Sequence, residues 1–78
     1  MQIKERIKKD INMFYDNLNK IDKLSESELK VVELSKMYAS DAQSYLEKED
    51  MYTSFSCISY AHGLLDAVIA IKDIKPVE

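Results

Sequence analysis

The sequence predicts an all-α fold, an antiparallel up-and-down three-helix bundle forming one domain over residues 1–78. Three observations carry this expectation. Apolar residues recur at helical spacing from Ile3 onward, a helix-start signature stands at Ser25, and the stretch from Met51 to Ile71 holds one charged side chain besides His62 in a chain that is 32% charged. Helices are expected at about 2–22, 26–48 and 50–73, with a short C-terminal tail.

In the first helix, Ile3, Ile7, Ile11, Phe14, Leu18 and Ile21 follow at intervals of 4, 4, 3, 4 and 3, which draws one narrow apolar stripe. Tyr15 flanks that stripe, and the helix is expected to end near Asp22. The second helix has the most specific local signal. Ser25 as N-cap and Glu28 three residues later make a capping box, with Leu24 and Leu29 placed as its hydrophobic staple. Its core face is read as Val31, Leu34, Tyr38, Ala42 and Tyr45, widened on one side by Val32, Ala39 and Leu46. Two tyrosines there should keep their hydroxyls near water or a polar partner, and Asp41 lies beside both. Glu47 to Asp50 lacks glycine and proline, so a short, tight turn is expected, with Asp50 as the next N-cap.

The third helix is different in kind. Projected at about 100° per residue, its apolar side chains cover more than half the circumference, although a helix in a three-helix bundle meets only two neighbours. Opposite the centre of that arc, Ser56, Ser59, Gly63, Ala67 and Ala70 form a seam of small residues that would let another backbone approach closely. Glycine costs a helix interior about 1 kcal/mol relative to alanine, so Gly63 calls for a packing or functional reason. Tyr60, Leu64 and Ile71 border the seam and complete the expected interface. Lys72 and Lys75 suit the C-terminal dipole, and Pro76 ends the helix.

Composition narrows the function. A domain of this size buries roughly 60% of its unfolded surface, so ideal helix packing or self-association is the expected reinforcement. One cysteine rules out an internal disulfide framework, and one histidine beside one cysteine speaks against a structural zinc site. The N-terminal stretch has no unbroken apolar run of the secretory kind, so the chain is expected in the cytoplasm. The third helix could span a bilayer by length, but Thr53, Ser54, Ser56, Ser59, His62 and Asp66 are costly in lipid, so no membrane is expected. Net charge is +2 over residues 1–24, −4 over 25–50 and −1 over 51–78. Lys4, Arg6, Lys8 and Lys9 scatter around a helix rather than forming a stripe, so nucleic acid is not an expected partner.

Catalysis finds little support. His62 has Ser59 three residues before it and Asp66 four after, both within reach on a helix. Cys57 points about 140° away from His62 around the helix, which excludes a dyad within one chain. Ser59 has neither a strained turn nor an oxyanion hole, and di-metal bundles need glutamate where position 59 is serine. The plain expectation is a part-buried His62 satisfied by Asp66 or by a tyrosine.

Tyr38, Asp41-Ala42, Tyr45 and Asp50, followed by Ile58, Tyr60-Ala61-His62-Gly63-Leu64-Leu65-Asp66-Ala67, resemble the signature of domain-of-unknown-function family three-five-seven. That resemblance implies a short archaeal three-helix bundle with no assigned activity. It marks Asp41, Asp50, His62, Gly63 and Asp66 as binding-site positions, and it implies glycine before the aspartate, where this chain has Glu49. The function expected is a non-enzymatic protein-interaction module without cofactor, which self-associates or docks a protein partner through the third helix. The alternative is a small-molecule or metal-dependent site around His62, Asp66 and Asp41.

Overall fold

A computed structural model describes residues 2–72; Lys75, Pro76 and the expected tail lie outside the described residues. Three helices follow in order: α1 (Ile3–Leu18), α2 (Glu26–Glu47) and α3 (Met51–Lys72), with no strand among the described residues. α3 packs most extensively on α2 and less on α1, while α1 and α2 touch least. Its 22 residues, at about 1.5 Å rise each, run nearly the whole 36 Å length of the molecule.

α1 stops four residues before the expected end. The turn that follows is held by Lys20 N–H to Asn17 C=O and Ile21 N–H to Leu18 C=O. Asn17 and Asn19 favour such local turns over continued helix. The three-residue step from Leu18 to Ile21 is met equally by a tight turn, so Ile21 still packs on the core although it has left the helix. The other end of the stripe also departs from expectation, because Ile3 is exposed. Ile7, Ile11 and Phe14 make the buried apolar contribution of α1, and Asn17 is buried beside them in the same helix.

The capping box at the start of α2 forms as expected. Glu28 N–H donates to Ser25 Oγ at 3.2 Å and Ser25 N–H donates to Glu28 Oε1 at 2.8 Å. Of the staple pair, Leu24 packs against the core while Leu29 is exposed. The buried face is centred on Val32, Ser35, Ala39, Ala42 and Leu46, with Val31, Tyr38 and Tyr45 half-buried and Leu34 exposed. The residues expected to widen the face are thus its middle. The reason is size. Ser35, Ala39 and Ala42 let α3 come close enough for Ser54 Oγ to donate to the backbone carbonyl of Ala42 at 2.6 Å, and larger side chains flank that contact. Ser35 Oγ donates to Val32 C=O of its own helix.

The α2–α3 turn is as tight as expected, by a device the sequence reading did not name. Glu49 has φ 63°. Its N–H donates to Leu46 C=O, and Asp50 N–H donates to Tyr45 C=O. This is a Schellman motif with glutamate at the left-handed position that glycine normally fills. Asp50 then caps α3, accepting from Thr53 N–H at 3.1 Å, so α3 begins at Met51 rather than at Asp50.

One core joins all three helices. On α3 it comprises Ser54, Ile58, Ala61, Leu65, Val68 and Ile69, with Met51 and Cys57 packed against it. No buried side-chain polar atom lacks a partner among the described residues.

Candidate functional site

Two surfaces of α3 answer different questions. The face toward α1 carries His62, whose Nε2 lies 2.6 Å from the backbone carbonyl oxygen of Asp10. The edge of the His62 ring also meets Phe14, with centroids 5.8 Å apart and planes at 85°. The imidazole is therefore satisfied by α1, and neither Asp66 nor a tyrosine serves as its partner. A helix that shares little surface with α2 is anchored to α3 by this contact, which is work for a structural histidine.

The other polar positions of the family signature go to separate tasks. Asp50 is the N-cap of α3, and its carboxyl is held below the usual aspartate range by the hydrogen bonds from Thr53. Asp41 is exposed on α2, near enough to Cys57 that its charge adds to the effect of burial, the larger cause, in pushing the thiol pKa up. That thiol is poorly disposed to nucleophilic chemistry, which needs the thiolate. Asp66 is exposed. No group of three His, Cys, Asp or Glu side chains among the described residues comes together to hold a metal ion, so His62, Asp66 and Asp41 do not converge into such a centre.

On the side of α3 turned away from the core, Ser56, Ser59, Gly63, Ala67 and Ala70 are all exposed. A Cβ added at Gly63 would meet nothing within 4 Å. The close approach that the glycine permits is thus unused inside the chain, and the tight α2–α3 contact is made by other small residues. Apolar side chains border the seam: Tyr60 is 51% exposed and Ile71 73% exposed, while Leu64 is half-buried. Tyr60 meets Tyr38 of α2 edge to face, with ring centroids 4.6 Å apart, a geometry that favours the pair beyond its burial alone. α3 has the length and apolarity of a membrane-crossing helix, with a third of that window buried.

Two contacts escaped the sequence reading because both acceptors are backbone carbonyls. Neither Asp10 C=O nor Ala42 C=O is marked by its side chain, and only the packing brings them to His62 and Ser54. Glu49 did carry a signal, since the family resemblance implied glycine at that position.

Fold and surface together define a small all-α domain of three helices, with an open small-residue seam on the helix that also carries the centre of the core. Residues 9–74 match the family described as "Protein of unknown function (DUF357)", and the chain belongs to that family. The match takes in α2 and α3 whole and the second half of α1. No curated protein matches the chain.

Proposed function

We propose that the chain is an up-down-up bundle serving as a non-enzymatic interaction module, which docks a protein through the exposed face of α3. The helix directions rest on five contacts. Lys4 of α1 meets Glu49 in the turn before α3, Asp10 meets His62 midway, Ser54 meets Ala42, and Lys72 meets both Lys23 and Glu28. α1 and α3 then run the same way, with α2 opposed to both.

One observation carries the docking reading. A glycine stands in mid-helix, at a cost of about 1 kcal/mol, where an added Cβ would meet nothing. Its flanking residues are small and exposed. A second backbone packed on the seam supplies the missing reason for it. We place this module in the cytoplasm, where the free thiol of Cys57 stays reduced, with protein rather than membrane or nucleic acid as its partner.

Sedimentation equilibrium of the wild type and of Gly63→Arg tests this reading. Arginine is the better helix former and has open space at this position, so the variant should melt higher than the wild type. It should nevertheless lose the association that the wild type shows at high micromolar concentration. Association unaffected by Gly63→Arg refutes docking through α3, and a strictly monomeric wild type removes self-association and leaves only a heterologous partner.

A further inference from the structure

We infer that α1 exchanges between two copies of this chain. It leaves its own bundle, continues α2 as one helix, and seats where α1 belongs on the α2–α3 pair of the second copy. The observation that carries this is a register that runs unbroken through the first turn. Core positions of α1 alternate at 4 and 3 residues from Ile7 through Ile11, Phe14 and Leu18 to Ile21. Those of α2 alternate at 3 and 4 from Val32 through Ser35, Ala39 and Ala42 to Leu46. Counting on from Ile21 by 4, 3 and 4 lands on Ser25, Glu28 and Val32. The hairpin does not require this, because its turn resets the direction in which α2 presents its side chains. A single helix does, since alternating steps of 4 and 3 keep one seam along its whole length. The two positions of that seam outside the core are Ser25 and Glu28, the two halves of the capping box.

The turn is poorly suited to being one. Residues 19–25 hold neither glycine nor proline, and Lys23 takes φ 52°, a left-handed conformation that a side chain disfavours. The capping box and Lys72 Nζ, which donates to Lys23 C=O at 3.1 Å, hold it closed. Straightening releases Lys23 and pairs the last carbonyls of α1 with the first N–H groups of α2, which separate helix ends leave without helical partners. α1 also leaves at the least loss, because its contact with α2 is the smallest of the three helix pairs. The occupant of its groove is given by the chain itself. The α1 of a second copy brings the same Ile7, Ile11 and Phe14, and the same Asp10 carbonyl for His62. Two copies related by a two-fold axis across the joined turns recover every contact of α1, and short strained hinges favour such exchange.

Exchange requires α1 to leave its groove, so it is slow, takes place on refolding at high protein concentration, and yields a dimer that survives dilution. It does not use Gly63, so Gly63→Arg should leave this dimer intact, and its failure is separate from failure of the α3 reading. Isotope-labelled and unlabelled chains, unfolded together, refolded concentrated and then diluted, should give a dimer on gel filtration. Lys4 and Glu49 meet at 2.8 Å, so a zero-length carbodiimide reagent couples them. In the dimer these links should join labelled to unlabelled chains, and in the monomer they should not.

Glu26→Pro tests the joined helix. Glu26 is the first residue of α2, where the fixed φ and missing N–H of proline suit a helix start. Ser25 before it is already extended, with ψ 166°, as proline demands. The variant monomer should therefore melt as the wild type does. In a continuous helix the same proline stands mid-helix and clashes with the carbonyl four residues back, so the yield of dimer should fall at least about tenfold. Ser25→Ala, which removes the cap and favours helix, should raise it. A wild type that refolds only to monomer, or Lys4–Glu49 links confined to chains of one isotope, overturns the exchange. A Glu26→Pro chain that dimerises as the wild type does overturns the continuous helix, and the inference with it.

Discussion

Glu49 holds a left-handed backbone, φ 63°, at the one position of the α2–α3 turn where glycine would be unstrained. Its side chain accepts a hydrogen bond from Lys4 Nζ at 2.8 Å, which is the main cause of its lowered pKa. Two effects compete here. Left-handed backbone at a residue with a Cβ costs roughly 1–2 kcal/mol in general, whereas exposed ion pairs are typically worth 0.2–1 kcal/mol. The entropy that glycine adds to the unfolded chain opposes the gain in part. Relief of the backbone should win, so Glu49→Gly is expected to raise the melting temperature by a few degrees, read by thermal denaturation. Glu49→Ala, which loses the ion pair and keeps the strain, should lower it.

At the scale of elements, α2 and α3 are held close by small residues, and α1 leans on α3. Ala39 is wholly buried between Ser35 and Ala42 on the face of α2 that meets α3. Ala39→Leu would force the helices apart at the height where Ser54 donates to Ala42. Overpacking of this sort costs typically 1–3 kcal/mol. Chemical denaturation should show a loss in that range, while the same substitution at exposed Ser40 should leave the midpoint nearly unchanged. α1 and α2 touch least of the three helix pairs. Phe14 and the His62 bond to Asp10 bind α1 to the remainder of the bundle.

Across the whole molecule, three carboxylates sit at the joints between helices, and each titrates below its ordinary range. Glu28 is lowered first by its backbone hydrogen bond from Ser25, Glu49 by Lys4 and Asp50 by Thr53. In the unfolded chain they take up protons at ordinary values, near 4.5 for the glutamates and 3.8 for the aspartate. Below those values the unfolded chain binds more protons than the folded one, so their contribution is present above them and declines as pH falls through the folded values. The melting temperature should therefore be level from neutral pH down to about 4.5 and fall with further acidification. Glu28→Gln, which retains the capping-box hydrogen bond, should make that fall shallower.

Much of this was legible from local chemistry. The all-α class, the start of α2 at its capping box, the cap at Asp50 and the exposed seam on α3 follow from side-chain type and spacing alone, because caps and helical periodicity act over three or four residues. The end of α1, the true centre of the α2 face and the partner of His62 did not. A three-residue apolar step fits a turn as well as a helix, the middle of a helix interface goes to whichever side chains are small enough for close approach, and a backbone carbonyl leaves no mark in the sequence. The sequence by itself determined which segments are helices and which surface of α3 is spare. The tertiary structure decided that His62 belongs to α1 and that Ser54 reaches Ala42. Those outcomes depend on contacts between residues 12 to 52 positions apart, which no local pattern specifies.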